Sequence, residues 1–465
     1  MAHYCSRTLF SNPGMNELLR LSATQQARLI REREISSVEL VDAHLRWIGV
    51  VNPRINAAID VLADSALAAA RRADESEARG PLHGVPFSIK DSLELAGSVC
   101  TAGTVGRRCA APATEDAVLI SRLRAAGAIP IARTNLPDLL FAFESDNLLY
   151  GATRNPYDGS RTSGGSSGGE AALIASCGSP LGLGSDAAGS VRLPAAFCGI
   201  AGIKPTSGRL DRTGHFPPAG GWIEALWQIG PMARYVEDLQ TVMPLLIGEP
   251  VRSSPDLGTL RAAFYSGPAD AEVEAVVRGA AQSLAGAVAR IDEDRPPCLD
   301  QAFDLEMKLL GPDGGDGLRQ YLCDLGSREV HPLLTAWLDK LERYRTDLAG
   351  FAGYWAEWDA YRAAMSAFLR RYDVILCPVY PHAALRHGSS VEDENFRGFA
   401  HTMAYNVAGL PAAVVRCGQS ADGLPIAVQI VAGPGREDVA LGVAAFLEGE
   451  FGGWKAPEFA QVFAG

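Results

Sequence analysis

No run of this chain approaches the ~18 consecutive apolar residues that a membrane-spanning helix requires. Residues 1–21 also lack a continuous apolar stretch of the signal-peptide kind, so neither a membrane anchor nor an export signal is expected. Positive charge is in deficit. The 42 lysines and arginines face 54 aspartates and glutamates, a formal net charge of -12, which argues against nucleic acid or an anionic membrane as the main partner. Nine cysteines occur without a C-x-x-C pair, so free thiols in a reducing cytoplasm are expected rather than disulfides or a zinc knot. H-E-x-x-H is missing, and His382 and His387, in a proline-containing stretch, make a poor metal site. Repeats, charge blocks and low-complexity linkers are missing too. Residues 250–255 offer only a weak boundary.

What the chain does have is glycine, concentrated between Thr162 and Pro205. Glycine at this density lets a backbone take left-handed turns and approach a substrate closely. Runs of free N–H groups can also cradle an anion there. Ser166 and Ser167 sit inside one glycine cluster and Ser190 inside the next, the composition of a catalytic loop rather than of core. No lysine follows either cluster in the manner of a phosphate-binding G-x-x-x-x-G-K-[ST] loop. Gly182-x-Gly184-x-x-Ala187 matches a loose dinucleotide fingerprint, but Gly178-Ser179-Pro180 before it is no strand and Pro194 interrupts the helix that should follow. Gly164 to Gly168 satisfies G-x-S-x-G. Its approach, Asn155-Pro156-Tyr157-Asp158-Gly159, is turn chemistry, whereas a nucleophile elbow needs a strand.

The remaining chain alternates helices with short apolar strands, which predicts an α/β fold with a mixed, mainly parallel central sheet covered by helices on both sides. Ser36-Ser37-Val38-Glu39 reads as a capping box for a helix that Pro53 should end, and residues 61–73 as a second helix. Residues 83–91 read as a strand ending in charge, 114–126 as a helix and 128–133 as a buried strand. Further strands are expected at 261–265, 373–377, 412–416 and 425–431. Residues 333–358 are amphipathic, with Leu334, Trp337, Leu338, Leu341, Leu348, Phe351 and Trp355 on one face, a pattern of core or of a substrate-covering lid. Taken alone, Lys90 at the end of its strand reads as a surface lysine. The rival reading is a partly buried amine acting as a base.

Three stretches settle between such readings by resemblance: G-V-P-F-S-I-K-D, G-G-S-S-G-G-E and G-S-D-A-A-G-S-V-R-L-P-A-A-F-C-G-I-A-G-I-K-P-T. With I-S-S-V-E-L-V-D-A before them, and G-L-P-A-A-V-V-R and G-L-P-I-A-V-Q-I-V-A-G near the end, the chain resembles the amidase signature family of serine hydrolases over almost its whole length. Phe141, Phe143, the P-L-G-L-G run and L-L-G-P-D-G-G-D from Leu309 resemble its fatty acid amide hydrolase branch. The resemblance implies one domain over residues 1–465, with 1–80 a helical N-terminal part and about 250–372 a variable, partly helical insertion covering the substrate. It implies a triad of Ser190 as nucleophile, Ser166 as bridging serine after a cis Gly165–Ser166 peptide, and Lys90 as base. The backbone N–H groups of Ala187, Ala188, Gly189 and Ser190 would form the oxyanion hole, with Ser167, Asp186 and Arg192 as structural support. A serine hydroxyl needs a base to take its proton, and an amine can serve if burial keeps it neutral. Ala188 stands where the family commonly has glycine, which matters if φ there must be positive.

Some relatives hold a carboxylate substrate through an arginine three positions after the nucleophile. Leu193 occupies that position here. With Phe141 and Phe143 as expected substrate contacts, and Leu139, Leu140, Trp222 and Trp227 nearby in type, the substrate expected is a neutral apolar or aryl amide plus water. Anilides, esters and carbamates pass through the same kind of oxyanion. No cofactor or metal is called for, and a homodimer is compatible. Two rivals stand beside this reading: the glutaminase subunit of a tRNA-dependent amidotransferase, and a non-catalytic binding protein on the same fold.

Overall fold

The computed structural model describes residues 17–78, 80–218, 221–249, 252 and 255–458. Two reciprocal capping boxes, at Ser22/Gln25 and Ser36/Glu39, start the N-terminal helices Ala23–Arg31 and Ser37–Ile55. The second helix does not stop at Pro53. A proline in the last turn forfeits little, since few backbone bonds remain to be lost. The stop is Asn56, at φ 49°, whose N–H caps the Asn52 carbonyl at 2.7 Å. Asn52 Oδ1 then accepts the N–H groups of Ala57 and Ala58 at 2.8 and 2.7 Å and turns the chain into an edge strand. That strand, β1 (Ala58–Val61), takes Val61 from the expected helix, which begins instead at Ala63.

The other strands are β2 (Pro86–Lys90), β3 (Ile129–Thr134), β4 (Leu181–Asp186), β5 (Ala201–Lys204) and β6 (Gln228–Ala233). They are followed by β7 (Arg261–Phe264), β8 (Arg290–Glu293), β9 (Val374–Pro378), β10 (Ala412–Gln419) and β11 (Pro425–Ala432). Among the described residues they form one sheet in the order β1-β3-β2-β4-β6-β5-β10-β11-β9-β7-β8. The expected α/β fold with a mixed sheet is what the chain adopts. Parallel pairing, however, is confined to two blocks, β3-β2-β4 and β9-β7-β8, and the other neighbours run antiparallel. The reason is connection length. The helix Val118–Ala125 carries β2 over to a parallel β3, whereas a short turn at Gly423 (φ 79°) can only fold β10 back onto an antiparallel β11.

Strands β2, β4, β6, β9 and β11 are buried along their whole length, as expected where helices cover both faces. One of the covering helices, Gly168–Ala175, is itself wholly buried and apolar except for Glu170. It lies against β4 because Gly182 has no side chain: a Cβ there would collide with the Glu170 carboxylate. The amphipathic stretch near residue 333 splits into helices Pro332–Leu341 and Leu348–Leu369. Leu334, Trp337, Leu338 and Leu341 are buried, while Leu348 is 83% and Trp355 40% exposed, so only the first half of the stripe is core.

Candidate active site

Lys90 ends β2 between two parallel neighbours and is fully buried. Its Nζ donates to Ser166 Oγ at 2.7 Å, Ser167 Oγ at 2.9 Å and Ser185 Oγ at 3.1 Å. Burial strips the amine of water and holds its pKa well below the usual lysine range, although the Asp186 and Glu170 carboxylates pull the other way. The surface reading of Lys90 is therefore wrong: its strand lies between β3 and β4 in the interior of the sheet. Glu170 is pushed up to about 7 by burial, against hydrogen bonds from the Ser88 and Thr134 hydroxyls and the charge of Lys90.

Ser166 and Ser167 lie in the loop before helix Gly168–Ala175, and the Gly165–Ser166 peptide is cis. Ser190 lies in the loop between β4 and helix Arg192–Phe197. The two loops are tied directly, the Ser167 N–H donating to the Ser190 carbonyl at 3.2 Å. Ser166 and Ser190 line one cavity, together with Ala187 and Ala188.

The Ser190 loop is held from behind. The Arg192 guanidinium donates to both Asp186 carboxylate oxygens at 2.9 Å, and both side chains are completely buried. Burial would raise the Asp186 pKa, but the charge and hydrogen bonds of Arg192, with the Lys204 charge and the Asn406 amide, together outweigh it and hold the carboxyl well below the usual carboxylate range. The Asp186 carboxylate also accepts the N–H groups of Gly189 at 2.8 Å and Val191 at 3.2 Å. Of the four expected oxyanion donors, Gly189 is thus already engaged. The N–H groups of Ala187, Ala188 and Ser190 have no protein partner among the described residues. Gly189 has φ 127°, and a Cβ there would strike the Thr402 hydroxyl. Ala188 is not among the residues with positive φ, so alanine is accommodated without strain.

Three polar side chains that sequence reasoning did not single out complete this support. Thr402 Oγ1 donates to the Ala188 carbonyl at 2.7 Å, Asn406 Nδ2 to Asp186 Oδ1 at 2.9 Å, and Arg192 to Gln429 Oε1 at 2.6 Å. A glutamine inside the otherwise apolar G-L-P-I-A-V-Q-I-V-A-G was a usable signal. Thr402 and Asn406, in an ordinary helix, gave none. Ser185, the third hydroxyl on Lys90, was missed as well.

The cavity beside Ser190 holds about 40 Å³ and is walled by Phe141, Phe143, Trp227, Trp337, Leu310 and Ile223. Phe141 packs edge-to-face on Trp227 at 6.4 Å and on Trp337 at 5.5 Å. Phe143 is stacked on Phe399. Leu193 and Leu139 are fully buried and do not line the cavity, and the side chain of Trp222 lies outside the described residues. His382 pairs with Asp270 at 2.7 Å. Among the described residues no three His, Cys, Asp or Glu side chains cluster as a metal would need.

The amidase family model matches residues 39–441. Fatty-acid amide hydrolase 2-A of Danio rerio is 34% identical over 96% of this chain and 91% of its own. A glutamyl-tRNA(Gln) amidotransferase subunit of Roseiflexus castenholzii is 33% identical over 90% of this chain and 93% of its own. Among solved structures, 6-aminohexanoate cyclic dimer hydrolase complexed with substrate superposes with a TM-score of 0.83 at 30% identity, covering 94% of this chain and 98% of that one.

Proposed function

This chain belongs to the amidase family of amide hydrolases, and on that premise we propose that it cleaves the C–N bond of neutral apolar or aryl amides through an acyl-enzyme on Ser190. The observation that carries the reading is the fully buried Lys90 amine, 2.7 Å from a serine that lines the same cavity as Ser190. Neutral Lys90 takes the Ser166 proton as Ser166 takes that of Ser190, whose oxygen attacks the carbonyl carbon. Negative charge gathers on the carbonyl oxygen, where the N–H groups of Ala187, Ala188 and Ser190 would receive it. The proton then passes back through Ser166 to the leaving nitrogen, the C–N bond breaks, and the amine departs. Water enters and attacks the acyl carbon while giving a proton through Ser166 to Lys90; the proton then returns to Ser190 Oγ as the acyl–Oγ bond breaks, and the acid leaves.

The apolar walls of the cavity favour an uncharged group, since an unpaired carboxylate among Phe141, Trp227 and Trp337 is costly to desolvate. Anilides, esters and carbamates fit the same chemistry. We read the chain as a single domain whose insertion, about 250–372, covers the site with Leu310 and Trp337, and as a cytoplasmic protein, since its eight described cysteines are all free. No helix among the described residues is long and apolar enough to cross a membrane.

The likeness to the amidotransferase protein supports one second reading, hydrolysis of glutamine to feed ammonia to a partner. One experiment separates the two. A fluorophosphonate should add once to the wild type and not to Ser190→Ala, as read by intact mass, and the wild type should cleave a neutral anilide faster than glutamine. Labelling that survives in Ser190→Ala removes the nucleophile assignment; ammonia from glutamine without anilide cleavage favours the second reading.

A further inference from the structure

We propose that Trp337 sets an upper limit on the size of the acyl group this enzyme accepts, restricting it to short-chain or single-ring acyl groups. The inference rests on the proposed amide hydrolysis at Ser190 and follows from dimensions. Small-molecule sites commonly enclose ~300–1,000 Å³. The cavity beside Ser166 and Ser190 holds about 40 Å³. A single water already needs ~10–15 Å³, so the space takes a few heavy atoms and not a long hydrocarbon chain.

The wall that closes it is built to stay in place. The Trp337 indole is 3% exposed and meets Phe141 and Phe396 edge-to-face at 5.5 and 5.9 Å. Its helix, Pro332–Leu341, starts at His331, whose side chain accepts the Leu333 N–H at 3.3 Å. The His331 N–H in turn donates to Asp138 Oδ2 at 3.1 Å, three residues before Phe141. Upstream, Ser327 Oγ is 2.7 Å from Thr104 Oγ1 and accepts the Gly106 N–H at 3.0 Å. The segment bearing Trp337 is therefore fastened both to the loop around Thr104 and to the stretch that leads into Phe141, which lines the cavity. Removing the indole takes away one of the two largest side chains lining the cavity without touching Lys90, Ser166 or Ser190.

The test is a series of straight-chain acyl p-nitroanilides, from acetyl to dodecanoyl, read as kcat/KM for the wild type, Trp337→Ala and the milder Trp337→Leu. Trp355→Ala, at an exposed position on the next helix, is the control. The wild type should favour the short members over dodecanoyl by more than about tenfold, the scale of one misplaced methylene. The long-to-short ratio should rise at least about tenfold in Trp337→Ala, less in Trp337→Leu, and not at all in Trp355→Ala. Comparable wild-type rates across the series, or an unchanged ratio in both folded Trp337 variants, overturns the inference and leaves amide hydrolysis standing. No cleavage of any member by the wild type overturns the hydrolase reading, and the size limit with it.

Discussion

The Asp186 carboxylate accepts the Gly189 N–H at 2.8 Å, within the same loop that presents Ser190. One side chain thus engages an N–H of the Ser190 loop and fixes the orientation of its neighbours. Because Asp186 also carries the buried charge of Arg192, Asp186→Asn should cost ~3–5 kcal/mol of stability by leaving that guanidinium uncompensated. Urea unfolding measures this. A loss within ~1 kcal/mol would mean that Asn406 and Gln429 hold Arg192 without the carboxylate.

Gly189 and Ala188, side by side, should differ in their tolerance of substitution. Gly189→Ala places a Cβ against Thr402 at φ 127°, and should lower stability by ~1–3 kcal/mol and kcat with it. Ala188→Gly should change stability by no more than ~1 kcal/mol, because the alanine backbone is unstrained. Comparable losses in the two variants would contradict this.

Lys90→Ala should lower kcat by about 10³-fold, within the range for loss of a general base. The buried amine is neutral at pH values where a free lysine is charged. Wild-type kcat/KM should therefore decline as falling pH protonates Lys90, at a pH below that at which a free lysine gains its proton, and the residual rate of the variant should lack that decline. A variant retaining wild-type turnover removes Lys90 from the relay.

Glu170 makes a separate, thermodynamic prediction. Its pKa is raised from 4.5 to about 7 in the folded chain. The unfolded carboxyl ionises first, so the contribution of Glu170 is full below pH 4.5, is lost as pH rises towards 7, and is flat above. At ~1.4 kcal/mol per unit, the stability of the wild type relative to Glu170→Gln should fall by roughly 3 kcal/mol across that interval. Unfolding curves at several pH values give the difference directly, and a constant difference would show that Glu170 ionises normally.

The residues around Ser166 and Ser190 were legible because chemistry confines them to contiguous glycine-rich loops. Lys90 was legible only through resemblance, since nothing local reveals that β3 and β4 bury its strand on both sides. Thr402 and Asn406 were not legible at all: each is one polar residue in a buried helix, and its partner lies more than 200 positions away. The same distance hid the sheet order. Strand lengths and turns are local, but whether β5 pairs with β10 or with a nearer strand depends on what the helices leave uncovered.

The place of β10 and β11 bears on how the protein is made. They follow every other strand in the chain, yet they join the β5 side of the sheet to the β9 side. A nascent chain that has emerged only to residue 399 already contains Lys90, Ser166 and Ser190, but its sheet is in two halves, each with an open edge. Thr402, Asn406 and Gln429, which brace the Ser190 loop, have yet to emerge. Activity must therefore await the emergence of β10 and β11, and until then the edges of β5 and β9 lack the strands that pair with them.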